Sequence, residues 1–318
     1  MKRAFVTGAY GVLGHWIVKA LLDEGAEVVV LKRDRRAAAA LTLEGIEDRC
    51  HVVHGDLLDA PLLLRVVNEE EIDTVFHLAA QTIVGAANRS PASTFETNMR
   101  GTWNLMEACR EAQVARVVVA ASDKAYGAHT ELPYREDFAL QPKFPYDVSK
   151  AATDLIARSY WHTFGVPTAT TRFANIYGGG DLNPSRLVPE LVHAVLDGRA
   201  PVIRSDGSPE RDFLYAEDAA AAYLAIARAL DDPDGGARGE AFNAGSGRPY
   251  SVREVVETLI RVAGSDVEAD FQGAGVPAGE IDRQYVDRSK IERLTGWTPQ
   301  VDLEEGLRRT LDWYREHR

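Results

Sequence analysis

Cysteine, lysine and long apolar runs are scarce in this sequence. The two cysteines, Cys50 and Cys109, are too few for a disulfide framework, so we expect a reduced, cytoplasmic protein. No apolar run approaches the ~18–20 residues of a membrane helix. The chain enters a strand pattern directly after its first residues, so we expect no signal peptide. The net charge of −12 disfavours nucleic acid and anionic lipid as general partners, because a negative field repels both.

Only 7 of the 36 basic residues are lysines. Lysine, unlike arginine, can lose its proton near neutral pH when it is buried, so a lysine inside a motif is a candidate for proton transfer. The eight histidines offer no helical metal-binding pair, since His51 and His54 lie three apart on a predicted strand and point to opposite faces. We therefore predict no metal site and expect His77 to pack at the end of a strand.

Short apolar runs alternate with amphipathic stretches through the first half of the chain. Strands of this kind, separated by helices, predict a parallel sheet covered on both faces. The sequence therefore indicates an α/β protein with a Rossmann-like doubly wound parallel sheet over residues 1–176, joined by returning segments near 210–245. Residues 177–318 are predicted to form mainly a smaller, partly interleaved α/β lobe. Two alanine runs, 37–40 and 219–222, are interpreted as exposed helix surface.

Individual elements follow from the same patterns. Strands are predicted at 4–6, 28–31, 51–53, 74–77, 117–120 and 168–173. Helices are predicted near 92–113, 147–164, 185–197, 251–263 and 303–316.

A glycine-rich turn, with Gly8, Gly11 and Gly14, lies between the first predicted strand and the first predicted helix. The first two glycines let the backbone turn tightly and approach a pyrophosphate, and the third lets the helix pack against the sheet. The pyrophosphate would rest on free amides at the helix N-terminus. Because the pattern falls at the first strand–helix junction of an alternating chain, it predicts dinucleotide binding.

The residues after the second predicted strand indicate whether the dinucleotide is NAD or NADP. A carboxylate there binds the ribose hydroxyls of NAD, whereas a basic residue binds the 2′-phosphate of NADP. Lys32 and Arg33 occupy these positions, which favours NADP, and Asp34 would serve the ribose if the cofactor is NAD. After the third predicted strand, the side chain of Asp56 would meet the adenine amino group.

Tyr146 and Lys150 lie four apart at the start of a predicted helix, so their side chains share a face. A lysine ammonium beside the phenol, together with a nicotinamide cation, would lower the tyrosine pKa toward neutrality. The tyrosinate would then take a proton from a substrate hydroxyl. Ser122 ends the fifth predicted strand, at the edge where open α/β sheets bind ligands, and its hydroxyl would bond the same substrate oxygen.

Several motifs together resemble the extended short-chain dehydrogenase/reductase superfamily, and within it the nucleotide-sugar epimerases and 4,6-dehydratases. They are the turn at 7–14, Asp56-Leu57, His77-Leu78-Ala79-Ala80, Ser122, Tyr146-x-x-x-Lys150 and Arg172-Phe173-x-Asn175-x-Tyr177-Gly178. The resemblance implies a smaller nucleotide-sugar lobe, an NADP or NAD cofactor recycled within the catalytic cycle, and a homodimer. The dimer would form through a four-helix bundle of the helices near 92–113 and 147–164. The resemblance also implies cofactor contacts from Tyr10, Val12, Leu13, Leu57, Leu78, Ala79, Ala80, Gln81, Asn98, Tyr146, Lys150 and Phe173.

Asp123 and Lys124 distinguish between members of that family. The runs Ser122-Asp123-Lys124 and 77–81 are most similar to CDP-glucose 4,6-dehydratases, although this chain is shorter and its tyrosine motif lacks some flanking residues of that group. Once C4 of the hexose is a ketone, a neutral Lys124 would remove the C5 proton and a protonated Asp123 would protonate the leaving C6 hydroxyl. The alternative interpretation is a loop ion pair without a catalytic role.

Arginines are the predicted ligands of the substrate diphosphate, because guanidinium groups bind phosphate through paired hydrogen bonds. By resemblance, Asn175, Arg186, Arg211 and Arg283 stand at diphosphate-binding positions. Gln81, Lys124 and Leu187 would also contact the substrate, and Arg204 would flank the nucleotide base. For any single arginine, the alternative is a solvated surface residue.

These residues lead to three hypotheses. The favoured one is a lyase that oxidises an NDP-hexose at C4, eliminates water across C5–C6 and returns hydride to C6, with no net use of the cofactor. The second is an epimerase that inverts C4 or C2 with the same Tyr146–Lys150 pair. The third is a dinucleotide-binding regulator without turnover. The presence of Ser122, Tyr146 and Lys150 disfavours the regulator, and Lys124 favours the lyase over the epimerase.

Overall fold

Thirteen strands lie in the residues that the computed structural model describes, which are 1–34, 39–275 and 281–317. They are β1 Arg3–Thr7, β2 Glu27–Lys32, β3 His51–His54, β4 Thr74–His77, β5 Arg116–Ala120, β6 Thr168–Phe173, β7 Asn175–Tyr177, β8 Val202–Ile203, β9 Glu210–Tyr215, β10 Ala241–Ala244, β11 Pro249–Ser251, β12 Asp270–Phe271 and β13 Arg283–Gln284.

Twelve α-helices connect these strands within the same ranges. They are α1 Val12–Asp23, α2 Ala40–Leu43, α3 Ala60–Glu69, α4 Val84–Arg89, α5 Pro91–Phe95, α6 Gly101–Glu111, α7 Pro145–Phe164, α8 Leu187–Leu196, α9 Ala216–Ala229, α10 Val252–Ala263, α11 Ser289–Thr295 and α12 Leu303–His317. Short 3₁₀ turns cover Glu47–Arg49 and Asp123–Tyr126. A π-helical turn, Glu96–Arg100, joins α5 to α6, so the region predicted as one long helix is continuous but locally wider.

Seven parallel strands form the main sheet, in the order β10–β6–β5–β4–β1–β2–β3. Alternate residues of its strands supply two separate cores, because successive side chains point to opposite faces. On β1, Ala4 and Val6 belong to the core with α1 and α9, whereas Phe5 belongs to the core with α3, α6 and α7. The predicted Rossmann-like doubly wound sheet is therefore confirmed.

The alanine run at 219–222 is largely buried in α9, which corrects the sequence interpretation. Ala219, Ala220 and Ala222 are buried because α9 packs directly against α1. Small side chains at such a contact let two helices approach closely. The run at 37–40 lies partly outside the described residues.

A second, smaller sheet has β9 at its centre, with antiparallel β11 on one side and parallel β13 on the other. β7 also pairs with β9, and α8, α10 and α12 pack around them to form a third core. A single residue, Ala174, separates β6 from β7, so the two sheets meet beside the carboxyl ends of the main-sheet strands. Open α/β sheets bind their ligands at that edge. None of the described helices has the length and apolar character needed to cross a membrane.

Candidate active site

Gly8 and Gly14 produce a tight turn after β1. Gly8 has a φ of +79°, and a Cβ there would lie 2.6 Å from the backbone nitrogen of Ala79. A Cβ on Gly14 would lie 2.1 Å from the backbone oxygen of Gly8, so only glycine lets α1 start this close to the turn. No described side chain caps α1 at Gly11, which leaves its first amides available to a phosphate. The turn therefore fits the pyrophosphate of a dinucleotide.

The loop after β4 crosses this turn at Gly8. The loop residues Leu78, Ala79 and Ala80 are half-buried. The first residues of α1, Val12 and Leu13, are half-buried as well. His77, just before the loop, is buried between the hydroxyls of Thr7 at 2.7 Å and Thr102 at 3.1 Å. Burial lowers the pKa of His77 to about 3, so it is a neutral packing residue, as the sequence predicts.

Asn98 connects the loop after β4 to the helix that carries Tyr146. Its side chain accepts a 2.7 Å hydrogen bond from the backbone nitrogen of Gln81 and donates to the backbone oxygen of Gln81 and to Ser149 Oγ. Ser149 donates in turn to the backbone oxygen of Tyr146 at 2.7 Å. Asn98 is 1% exposed. The resemblance implied that Asn98 contacts the cofactor. In the structure its side chain is buried and instead holds the loop after β4 against α7.

Two further residues that the resemblance assigned to the cofactor lie in the core. Leu57 is buried against Gly101, and Phe173 packs edge-on against Tyr223 with the ring centroids 5.1 Å apart. The side chain of each is shielded by the protein itself. Phe173 and Leu57 belong to the two hydrophobic cores on either face of the main sheet.

Ser122 caps the 3₁₀ turn that follows β5. Its Oγ accepts a 3.2 Å hydrogen bond from the Lys124 amide and donates one of 3.1 Å to Asp123 Oδ1. Asp123 is buried, and burial raises the pKa of its carboxyl to about 6, while the Lys124 ammonium acts against this rise. Such a carboxyl can hold a proton close to neutral pH, which a general acid requires.

Lys124 lies near two buried or half-buried carboxyls, Asp123 and Asp147. Burial raises the pKa of both carboxyls, and the positive charge of Lys124 opposes the rise in each. Within the described part of the chain, Lys124 makes no ion pair as close as 4.0 Å to either of them. The structure thus lacks the loop ion pair that was the alternative interpretation of Asp123 and Lys124.

Tyr146 and Lys150 share the buried face of α7, but their electrostatics differ from the sequence expectation. Burial raises the pKa of Tyr146 to about 12, and the Arg186 guanidinium and the Ser122 hydroxyl act in the opposite direction. The Lys150 ammonium instead donates a 2.7 Å hydrogen bond to the backbone oxygen of Ala120. Burial lowers the pKa of Lys150 to about 8. In the protein alone, therefore, Lys150 does not produce the predicted lowering of the tyrosine pKa.

A buried network of polar side chains connects the helix that carries Tyr146 to the turn that follows Ser122. Arg172 on β6 binds Asp154 on α7 through two hydrogen bonds of 2.9 Å each, and it donates a third bond to the hydroxyl of Tyr126 at 3.1 Å. Tyr126 donates in turn to Asn243 Oδ1 on β10 at 2.8 Å. The network joins α7, the 3₁₀ turn and two strands, so it fixes the turn at 122–124 relative to Tyr146. Sequence reasoning missed these pairings.

The two cations at the end of β2, Lys32 and Arg33, already have acidic partners. Lys32 Nζ lies 2.6 Å from Glu47 Oε1, and Arg33 pairs with Asp34 at 2.7 Å. Lys32 also sits over the ring of Tyr10, 5.0 Å from its centroid. Asp56 is half-buried after β3, and its carboxylate accepts a hydrogen bond from the Leu58 amide at 2.9 Å. The predicted 2′-phosphate ligands are thus ion-paired within the protein.

Two of the arginines predicted to bind the substrate lie close enough to influence the pKa values of Tyr146 and Asp123. Arg186 precedes α8 and pairs with Asp181 at 3.1 Å, and its charge acts on Tyr146. Arg211 on β9 opposes the raised pKa of Asp123. These two arginines therefore border the site.

Arg283 does not join Arg211 in one cleft, contrary to expectation. In the register of β13 and β9, Arg283 lies opposite Glu210 and Gln284 lies opposite Arg211, so the two arginines point to opposite faces of the small sheet. Arg283 pairs with Glu210 at 2.6 Å and is half-exposed, while Arg204 is exposed. The other residues assigned to the substrate are half-buried: Gln81, Asn175 and Leu187.

A glycine-rich turn against α1, with Ser122, Tyr146 and Lys150 at the carboxyl edge of the sheet, defines a class of protein: a Rossmann-fold, dinucleotide-dependent enzyme of the short-chain dehydrogenase/reductase type. Within that class, the chain belongs to the NAD dependent epimerase/dehydratase family, whose family model matches residues 4–245. The resemblance inferred from the motifs is thereby confirmed.

Relatives of both reaction types are similar to this chain. A dTDP-glucose 4,6-dehydratase of Streptomyces griseus is 33% identical over 328 residues, which cover 98% of this chain and 94% of the relative. The structure of a dTDP-glucose 4,6-dehydratase from Streptomyces venezuelae, with NAD bound, matches with a TM-score of 0.86 and 33% identity over 99% of this chain and 97% of the other. A UDP-glucose 4-epimerase from Thermotoga maritima, with UDP-glucose, matches with a TM-score of 0.89 and 27% identity over 99% of both chains.

Proposed function

We propose that this protein is an NDP-hexose 4,6-dehydratase that forms an NDP-4-keto-6-deoxyhexose. The observation that carries the proposal is Asp123, a buried carboxyl with a raised pKa, next to Lys124 and bonded to Ser122. An epimerase that only oxidises and reduces C4 has no use for an additional acid and base. The similarity to 4,6-dehydratases over nearly the whole chain supports the same reaction.

The first chemical task is oxidation at C4 of the hexose. A bound nicotinamide supplies the acceptor and later the donor of the hydride. Tyr146 takes the proton of the C4 hydroxyl, and the hydroxyl of Ser122, which lies close enough to act on the pKa of Tyr146, orients the same oxygen. The pKa of Tyr146 stands at about 12 in the protein alone. Proton removal at neutral pH therefore requires a positive charge to be brought to the phenol, and Arg186 already acts in that direction.

The second task is loss of water across C5 and C6. The C4 ketone acidifies the C5 proton, which the neutral form of Lys124 removes. Asp123 gives its proton to the departing C6 hydroxyl, and burial keeps that proton available by raising the carboxyl pKa to about 6. The arginines at the site, Arg186 and Arg211, would hold the diphosphate.

For the substrate itself, we infer CDP-glucose, because the run Ser122-Asp123-Lys124 is most similar to the enzymes acting on that compound. Two of the relatives named above are dTDP-glucose 4,6-dehydratases and the third is a UDP-glucose 4-epimerase, so dTDP-glucose and UDP-glucose belong in the same test. For the cofactor, the sequence favoured NADP through Lys32 and Arg33. The ion pairs of those two residues with Glu47 and Asp34 support NAD instead.

The decisive experiment is incubation of the protein with CDP-, dTDP-, UDP- and GDP-hexoses in D₂O, followed by mass spectrometry and NMR. A dehydratase gives a product lighter by one water, with deuterium at C5. Inversion of C4 without loss of water and without deuterium at C5 would instead establish the epimerase. The fold similarity to a UDP-glucose 4-epimerase keeps that reaction as the second candidate.

We also propose that two chains associate through α5–α6 and α7. These helices lie side by side, and their outer faces expose Trp103 at 43% and Leu155 at 57%, which are large apolar side chains. Light scattering should give the mass of a dimer, and Trp103→Glu or Leu155→Glu should give a monomer. The control is Val202→Glu, which places a charge on an exposed apolar residue of the small lobe and should leave the dimer intact. A wild-type monomer would contradict the proposal.

A further inference from the structure

Glu47 was not among the predicted functional residues, yet it contacts the residue expected to choose between NAD and NADP. Lys32 ends β2, the place where dinucleotide-binding folds carry the residue that binds the adenosine ribose. The register of β1 and β2 pairs Thr7 with Leu31, so Lys32 lies beside Gly8. Its ammonium also lies over the ring of Tyr10, within the glycine-rich turn. Lys32 therefore borders the dinucleotide site.

Glu47 holds this lysine from the 3₁₀ turn before β3. Glu47 Oε1 lies 2.6 Å from Lys32 Nζ, and Oε2 accepts a 2.7 Å hydrogen bond from the Thr42 hydroxyl. The side chains of Lys32 and Glu47 are 16% and 19% exposed, so the pair is largely shielded from water. The hydrogen bond from Lys32 lowers the pKa of Glu47, which keeps it a carboxylate through the neutral range.

The charge of Lys32 is thus balanced before any ligand arrives. A 2′-phosphate carries a charge of about −1.5 to −2 and would meet the Glu47 carboxylate as well as the lysine. A ribose 2′-hydroxyl is uncharged and can donate a hydrogen bond to a carboxylate oxygen, which still has a free lone pair. Arg33, the other cation predicted for the phosphate, is paired with Asp34.

We propose that Glu47 determines the cofactor specificity, making the protein select NAD over NADP although a lysine occupies the ribose position. The inference rests on the proposed function only as far as the binding of a dinucleotide; it does not depend on the reaction. Glu47 lies fifteen residues beyond Lys32 in the chain, so no local motif could show the pairing.

The test is calorimetric titration of the purified protein with NAD and with NADP, in the absence of any sugar nucleotide. Wild type should bind NAD at least about tenfold more tightly, and Glu47→Gln should shift the ratio of the two dissociation constants toward NADP by at least about tenfold, equal to ~1.4 kcal/mol. Asp48→Asn is the matched control, because it removes the same charge from an exposed neighbour in the same turn and should leave the ratio unchanged. In the double variant Lys32→Met/Glu47→Gln, the gain toward NADP should disappear, because the released ammonium is what would attract the phosphate.

Several results would overturn the inference: tighter binding of NADP than of NAD by wild type, an unchanged ratio in Glu47→Gln, or an equal shift in Asp48→Asn. If Glu47→Gln fails to fold, Glu47→Asp replaces it: the shorter side chain draws the carboxylate away from Lys32, so the ratio should again shift toward NADP, and an unchanged ratio would overturn the inference. Failure to bind either dinucleotide would overturn the proposed function and this inference together. Loss of the dehydratase reaction with NAD binding intact would overturn the proposed function alone.

Discussion

Lys150 donates a 2.7 Å hydrogen bond from its ammonium to the backbone oxygen of Ala120, the last residue of β5. Ala120 lies two residues before Ser122, and Lys150 lies one helical turn after Tyr146. This single bond therefore ties the helix that carries Tyr146 to the strand that carries Ser122. Lys150 is buried there, and burial lowers its pKa to about 8. The pair thus fixes the distance between the tyrosine and the serine before any substrate binds.

Tyr146→Phe should reduce turnover on every substrate by about 10²–10⁴-fold, because no group would remain to take the C4 hydroxyl proton. Steady-state kinetics should show the loss in kcat, with an unchanged melting temperature. Tyr160→Phe is the control: it lies on the same helix, and its hydroxyl bonds Glu107, on neighbouring α6. Near-normal turnover by Tyr146→Phe would exclude the tyrosine as the base.

Gly8→Ala should abolish dinucleotide binding, and Gly25→Ala should not. The two glycines have nearly the same φ, +79° and +80°, so an alanine side chain brings the same backbone strain of about 1 kcal/mol to each. A Cβ at Gly8 would meet the backbone of Leu78 and Ala79, whereas at Gly25 nothing lies within 4 Å. Calorimetric titration with NAD and thermal melting of both variants separate strain from steric exclusion. Equal binding by the two variants would contradict a close approach at Gly8.

The stability of Asp123→Asn, measured relative to that of wild type, should increase as pH rises. Burial raises the pKa of Asp123 from 3.8 to about 6 in the folded protein, so its stabilising contribution is fully present below about pH 4 and is lost as pH rises through 6. The difference corresponds to about 3 kcal/mol, since each pKa unit is worth about 1.4 kcal/mol. The variant is neutral at every pH, so its free energy of unfolding relative to wild type should increase by up to that amount between pH 4 and 8.

Urea denaturation of both proteins at several pH values measures this difference directly. The subtraction cancels the titration of all other groups, as long as they behave alike in the two proteins. A difference that stays constant between pH 4 and 8 would show that Asp123 titrates normally, and its assignment as the acid of the elimination would lose its support.

Asp154→Asn should destabilise the protein by about 3–5 kcal/mol, because it leaves the buried guanidinium of Arg172 without a counter-charge. Asp154 and Arg172 are both almost fully buried, with side chains 0% and 2% exposed. The control is Glu96→Gln, which breaks an exposed ion pair with Arg100 and should change the free energy of unfolding by less than about 1 kcal/mol. If the two substitutions lowered the free energy of unfolding by similar amounts, the buried Arg172–Asp154 pair would not be the support of the site that is described above.

The sequence predicts the main sheet well because its strands are short, apolar and continuous. Val28–Leu31 and Val117–Val119 are each buried on both faces, so a local pattern is enough to identify them. The individual strands of the predicted smaller α/β lobe were not located, because β7, β11 and β13 have only two or three residues each. Strands of this length are too short to show an alternation of apolar and polar residues. Each of them pairs with β9 in the structure.

The site could be predicted only where its chemistry lies in a local motif. The spacing of Tyr146 and Lys150 and the run Ser122-Asp123-Lys124 are visible in the sequence. Pairings between distant residues are not visible, even where the residues themselves were predicted: Asn98 bonds Ser149, 51 residues away, and Lys32 bonds Glu47. The pKa of Tyr146 in the protein alone also depends on distant residues, since burial raises it and Arg186, forty residues away in the chain, opposes the rise.

Lys124→Met should stop the elimination of water while leaving oxidation at C4 possible. Methionine has a similar length and no titratable group, so the C5 proton would have no acceptor, and turnover should fall by about 10²–10⁴-fold. With substrate present, reduced nicotinamide should accumulate and be visible in the near-ultraviolet absorbance. Lys2→Met is the control, because Lys2 is exposed at the opposite, amino-terminal edge of the sheet.

Exchange at C5 gives an independent check of the same assignment. In D₂O, wild type should incorporate deuterium at C5 of the product, because the proton removed from C5 is replaced by one from the solvent. In Lys124→Met that incorporation should be lost, because the group that removes the C5 proton is absent. If the variant still releases water and still exchanges C5 at the wild-type rate, another group is the base. Asp123 and Lys124 would then serve to hold the sugar in place, and inversion at C4 would become the favoured reaction.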